Sequence, residues 1–213
     1  MKLVYATDLG EAHLGDSLSI LSTDLGTRLR GTVSLILTSP PFPLVRKKDY
    51  GNKQGDEYLA WLRRFGPIFR ELLADDGSLV VEVGNTWDPG RPTMSTLPIR
   101  SLMALQEAGD FFLCQQLIWH NPARLPSPAQ WVNVERIRLK DAHTHVWWMS
   151  NSSRPKASNR SVLTEYSAAM KTLLKNGTYN AGARPSEHIV SEGGFKSDNK
   201  GSIPGSVLSY ANT

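Results

Sequence analysis

Apolar positions along this chain fall into two rhythms. Val33-Ser34-Leu35-Ile36-Leu37-Thr38 is a β-rich apolar run that Pro40-Pro41 brings to a stop. Ser78 to Val83, Phe111 to Trp119 and Thr144 to Met149 read as further strands, and Ala12-His13-Leu14-Gly15 as a short one ending at Asp16. Elsewhere helical spacing takes over. Leu59, Leu62, Phe65, Phe69, Leu72 and Leu73 predict one helix over Glu57 to Leu73. Leu18 to Leu25, Ile99 to Ala108 (with Gly109 as its stop) and Ser161 to Lys175 also read as helices. Asp75-Asp76-Gly77 predicts a turn.

Strands separated by helices imply βαβ units, an α/β class and a mainly parallel sheet. In such sheets ligands gather at the carboxyl ends of strands, where Asp16 and the segment Thr38-Ser39-Pro40-Pro41-Phe42 fall. From Asn151 onward Ser, Asn, Gly, Lys and Arg dominate. The expected organisation is therefore an α/β domain over 1–150 and a compositionally different region over 151–213. Gly193 to Thr213 reads as surface loop, not as a closing strand.

Composition narrows the class. With 40% hydrophobic and 21% charged residues, the chain has the make-up of a globular protein and not of a disordered one. Its 24 Lys and Arg against 20 Asp and Glu tilt it slightly towards a polyanionic partner. No run approaches the roughly 18 apolar residues of a membrane helix, and the N-terminus has no signal-peptide pattern, so no membrane partner and a cytoplasmic location are expected. The single cysteine, Cys114, cannot form an internal disulfide and reads as an inert thiol in a buried strand.

The chemistry centres on Ser39-Pro40-Pro41-Phe42. Neither proline has an N–H, each ring fixes φ, and the residues before them are pushed towards extended conformations. The outcome is a stiff turn whose carbonyls, with the Ser39 hydroxyl, can accept hydrogen bonds from an amine, beside the flat face of Phe42. A flipped-out base with an exocyclic amine requires that combination. An isolated Pro-Pro more often just ends a strand. Here it follows an apolar strand, comes after Gly15-Asp16 and precedes the basic triplet Arg46-Lys47-Lys48.

These stretches, together with Leu14-Gly15-Asp16-Ser17-Leu18, Asp76-Gly77-Ser78-Leu79-Val80, Trp119-His120-Asn121-Pro122 and Trp147-Trp148, resemble the β-group DNA amino-methyltransferases, particularly the cytosine-N4 branch. The resemblance runs from about Tyr5 to the end. It implies a Rossmann-like methyltransferase fold, S-adenosylmethionine as cofactor and double-stranded DNA as partner, as in restriction–modification. It makes Ser39, Pro40, Pro41 and Phe42 the catalytic segment, and it puts Asp16 and Thr38 on the cofactor side. Adenine-specific members usually carry Asp or Asn where Ser39 stands, which favours cytosine. Cys114 lacks the preceding proline of an enzyme that methylates cytosine carbon five. Asp16 reads equally as a helix N-terminal residue satisfying backbone amides.

One family feature is missing. No Gly-x-Gly occurs in the sequence, so the glycine-rich cofactor loop is not among these residues. The expectation is an incomplete fold with an unpaired sheet edge, from a truncated product or one part of a split enzyme completed by a second chain. Ile203 to Leu208 resembles the family's run-up to that loop, and the resemblance makes 1–150 the catalytic domain and 151–213 the target-recognition region with the start of the cofactor-binding part. For DNA contacts, Arg46, Lys47 and Lys48 suit phosphates. Arg136, Arg138 and Lys140 alternate, and on a strand they would share one face. Each set has the plain alternative of a solvated surface, and Trp131 that of a core residue. No ligand set at metal spacing is found, and direct methyl transfer needs none. The alternatives are a catalytically inactive DNA-binding fragment and an adenine-N6 enzyme.

Overall fold

The structure is a computed structural model that describes residues 2–41, 53–177, 182–183, 185–191 and 197–211. The chain opens with an antiparallel hairpin, β1 (Lys2–Thr7) and β2 (Gly10–Leu14), whose first strand the sequence pattern had not signalled. The helix expected over Leu18 to Leu25 is two short ones, α1 (Ser17–Leu21) and α2 (Asp24–Leu29). The Ser22 and Thr23 hydroxyls between them donate to the Leu18 and Ile20 carbonyls, a local bond that competes with the helix ladder.

β3 (Val33–Thr38) has the bounds its apolar run predicts. The helix expected over Glu57 to Leu73 bends into α3 (Gly55–Arg63) and α4 (Phe65–Leu72). Pro67 explains the break, since without an N–H it cannot bond the Arg63 carbonyl one turn back. β4 (Leu73–Gly84) is longer than its apolar run. The expected turn at Asp75-Asp76-Gly77 lies inside it as an irregularity: Val33 pairs Leu73, whereas Leu35 pairs Ser78. α5 (Leu97–Gly109) ends in a left-handed Asp110, and β5 (Phe112–His120) and β6 (His143–Ser150) follow.

Late in the chain, α6 (Ala168–Asn176) is shorter than the predicted Ser161–Lys175 helix and is preceded by a 3-10 turn at Asn159–Val162. β7 (Gly182–Ala183) and β8 (Ile189–Val190) form a two-strand pair. β9 (Val207–Ser209) pairs parallel with β5, so the expectation of no closing strand after Gly193 is corrected. Its backbone is recruited by an open sheet edge, which a periodicity search cannot detect.

The main sheet runs β3-β4-β6-β5-β9. It is mixed, not mainly parallel: β6 is antiparallel to both neighbours. β3 occupies one edge, and Leu35 and Leu37 there are 55% and 71% exposed. On the other face of that strand the core begins. Leu79, Val81 and Val83 of β4, with Trp147 and Met149 of β6, pack with Tyr58, Leu59 and Leu62 of α3, Phe65 and Phe69 of α4, and Leu105 of α5. α4 and α5 meet so closely that a Cβ on Gly66 would lie 2.7 Å from Ala108 and from the Gly109 nitrogen. The run before β5 is less buried than its sequence suggests. Phe111 is in the core, but Phe112 and Leu113 are exposed and Cys114 is half-buried, its thiol pushed up by that burial.

The chain divides into two compact units, Met1–Lys156 with Ser206–Thr213, and Ala157–Gly205. Within the second, Thr164 and Ser202 exchange backbone hydrogen bonds at 2.9 Å, and the Tyr166 hydroxyl donates to Asp198. Among the described residues no helix is long and apolar enough to cross a membrane.

Candidate active site

At the carboxyl end of β3 the chain leaves the sheet as Thr38, Ser39, Pro40 and Pro41. Ser39 and Pro41 are exposed and Pro40 is buried. These four residues line a cavity of about 630 Å³, together with Gly15, Asp16 and Ser17 from the start of α1. The volume is that of a small-molecule or cofactor site. Asp16, Thr38 and Ser39-Pro40-Pro41, assigned from separate stretches of sequence, therefore face one cavity. Phe42, Arg46, Lys47 and Lys48 lie outside the described residues.

Asp16 is the N-cap of α1. Its Oδ2 accepts from the Ser19 backbone N–H at 2.8 Å and from the Ser19 hydroxyl at 2.7 Å. Those bonds, the hydroxyl's first, hold the carboxyl below its usual range, so it is ionised at neutral pH. Capping and cavity-lining thus coincide in one exposed side chain.

The rest of the lining was not singled out from sequence. Lys53, Tyr58, Trp61, Leu62, Phe65 and Phe69 come from the approach to α3, from α3 itself and from α4. Trp61 stands edge-on to Phe65 with ring centroids 5.0 Å apart, and Phe65 meets Phe69 at 5.3 Å. The available signal was aromatic spacing, but spacing alone gives the helix a core face and not a cavity wall. Burial pushes the Tyr58 phenol up to about 12, with the Ser101 hydroxyl offsetting part of the shift, so Tyr58 is a neutral wall. An apolar floor beneath an ionised carboxylate suits an adenosyl group: a flat aromatic ring system joined to a polyhydroxylated sugar.

A second polar group lies at the same end of the sheet. After β4, the Asn85 amide donates to the Asp141 carboxylate at 2.7 Å and to the His143 carbonyl at 3.2 Å. The Asp141 side chain is 8% exposed, with Arg124 a further 3.9 Å away. His145 stacks on Trp147 with ring centroids 5.1 Å apart. Its Nδ1 is 3.0 Å from the Gln116 amide nitrogen, and burial, with His143 beside it, lowers its pKa.

Arg136, Arg138 and Lys140 are not on a strand, which corrects the shared-face expectation. Arg136 has a left-handed backbone at φ 56°. Arg138 donates to the Pro92 carbonyl and lies over the Trp87 ring, while Lys140 donates to the Pro122 and Arg124 carbonyls. Trp131 packs against Trp87 with centroids 5.8 Å apart.

The N6/N4 family of DNA methylases matches this chain over residues 33–207. The chain belongs to that family. Among curated DNA methylases, the type II methyltransferase M.PvuII of Proteus hauseri is 39% identical over the whole of this chain, which spans 62% of that protein's length. Among solved structures, the cytosine-N4-specific PvuII DNA methyltransferase superimposes with a TM-score of 0.67 at 33% identity, covering 94% of this chain and 57% of that one. The match establishes the Rossmann-like methyltransferase fold for the mixed sheet described above. In this family member the residues around Ser39 occupy the strand end where that fold class places its ligands.

Proposed function

We propose that the chain carries the base-binding half of an S-adenosylmethionine-dependent enzyme that methylates the N4 amine of cytosine in duplex DNA. The observation that carries this reading is the cavity at the end of β3, which Asp16, Thr38, Ser39, Pro40 and Pro41 line together. When bound, S-adenosylmethionine supplies an electrophilic methyl group. The protein's own contribution is positional and electrostatic. The Ser39 hydroxyl and the Pro40 carbonyl accept hydrogen bonds from the target amine and aim its lone pair. As positive charge grows on the nitrogen its N–H groups become stronger donors, so the same two acceptors bind more tightly at the barrier than before it. Phe42 stacks on the base, and Trp61, Phe65 and Phe69 exclude water from the cavity.

Asp16 and the aromatic floor hold the adenosyl end of the cofactor. Hydrogen bonds to its methionine end come from a glycine-rich loop outside these residues, on the same polypeptide or on a second chain. Residues 151–213 take part in target recognition, and Arg46, Lys47 and Lys48 bind phosphates beside the flipped base. Catalysis would then require both parts.

The test is methyl transfer from labelled S-adenosylmethionine to DNA, with the modified nucleoside identified by mass spectrometry. N4-methylcytosine supports the reading. N6-methyladenine overturns the choice of base. DNA binding without product, even with a glycine-loop chain added, leaves an inactive DNA-binding fragment.

A further inference from the structure

The segment between β5 and β6, residues 121–142, carries exposed leucines beside cations that bond the chain's own carbonyls. Long cations normally extend into water and leucines turn inward. Here the exposed Arg138 and Lys140 lie back on the surface to bond the carbonyls of Pro92, Pro122 and Arg124, and Leu139 between them is 91% exposed. Leu125, next to the Arg124 carbonyl that Lys140 holds, is 80% exposed.

The segment is also braced. Asn121 N–H donates to the Ala142 carbonyl at 2.8 Å and closes its neck. Asp141 N–H donates to the Ser127 carbonyl at 2.9 Å, and the buried Asp141 carboxylate ties the neck to Asn85. Trp131 anchors it on Trp87. Two large apolar side chains are thus held out into solvent on a fixed base. Within 135–141 the exposed cations Arg136, Arg138 and Lys140 outnumber the exposed carboxylate of Glu135. Arg136 is exposed, Asp141 is buried, and Glu135 is engaged by the Gln130 amide at 3.0 Å.

Position supplies the occupant. β6 starts at this neck and β4 ends beside it, with Gly84 opposite Thr144; β4 in turn pairs with β3, whose last residue adjoins Ser39. Two strand spacings, about 10 Å, separate the lines of β6 and β3. A base drawn into the Ser39 cavity leaves a gap in the duplex, and an apolar side chain is what fills such a gap at an unstacked step.

From this we infer that Leu139, with Leu125 of the same segment, is a wedge that enters the base stack of duplex DNA next to the flipped nucleotide. The inference rests on the reading that this chain binds duplex DNA. The wedge does not need the recognition sequence to be known, because a plasmid offers every short site.

The experiment incubates relaxed closed-circular plasmid with the chain and S-adenosylmethionine, treats it with a type I topoisomerase, removes the protein and resolves the topoisomers. Wild-type chain shifts the linking number in proportion to protein bound. The double variant Leu125→Ser, Leu139→Ser, checked for an unchanged thermal transition, binds the plasmid with the same salt dependence but leaves the linking number near that of plasmid alone. Binding by wild type without a shift overturns the wedge and leaves the DNA reading standing. So does a double variant that shifts topoisomers as wild type does. A wild-type dimer that the double variant converts to monomer assigns the surface to a second copy and overturns the wedge. No plasmid binding by either chain removes the DNA reading and the wedge together.

Discussion

The Asn85 amide and the Asp141 carboxylate, 2.7 Å apart, join the end of β4 to the neck of the segment before β6. This bond supports a carboxylate almost wholly out of water, with a partly exposed arginine at 3.9 Å as its cationic neighbour. Asn85→Ala removes a hydrogen bond to a charged group and should cost about 1.5–3 kcal/mol in urea unfolding. Adding Asp141→Asn to that variant removes the buried charge and should recover part of the loss. Equal stability of the two variants would show that the carboxylate is hydrated.

Gly66 offers a sharper packing test. An added methyl meets Ala108 and Gly109 at 2.7 Å, where backbone leaves it little room. Gly66→Ala should destabilise by about 1–3 kcal/mol despite alanine's better helix propensity, read from the thermal transition. A neutral outcome would mean that α4 and α5 separate readily.

His145 sets a pH dependence. Its folded pKa lies below the ordinary 6.5, so below pH 6.5 the unfolded chain takes up the proton first. Its contribution to stability is fully present above that value and is lost as pH falls towards the folded pKa. His143 facing it adds to the shift and Asp141 opposes it. Between pH 7.5 and pH 5.5 the wild-type chain should lose more stability than His145→Gln, measured by urea midpoints. Parallel profiles would count against a neutral buried imidazole.

On the proposed reading, Ser39 and Asp16 separate chemistry from binding. In the complete enzyme, Ser39→Ala should lower the methylation rate on the order of 10²-fold and leave cofactor affinity unchanged, since the hydroxyl acts on developing charge at the amine. Asp16→Asn should weaken cofactor binding and change the rate at saturating cofactor far less. An Asp16 variant with intact affinity would leave that residue with its capping role alone.

How much of this was legible depended on what kind of force fixes each element. β3 was read to the residue because its apolar run is bounded by Pro40. The bend between α3 and α4 was written in Pro67, although the apolar spacing on either side continues unbroken and suggested one helix. β1 and β9 escaped because their residues are mostly exposed, and backbone pairing leaves no periodic mark. Local motifs and a family resemblance singled out Ser39 and Asp16, and both line the cavity. The aromatic wall was not, because a cavity exists only once α3 and α4 stand over β3. Arg138 and Lys140 carry a role that charge alone does not signal: their hydrogen bonds hold the chain's own carbonyls.

The exposed Leu35 and Leu37 at the sheet edge bear on how this polypeptide behaves in a test tube. Two neighbouring leucines on an outermost strand offer both sticky side chains and a ladder for another copy to zip onto. Concentrated stocks should therefore cloud through edge-to-edge stacking while the fold itself is intact. Lysine at position 37 should keep them clear without altering the melting curve.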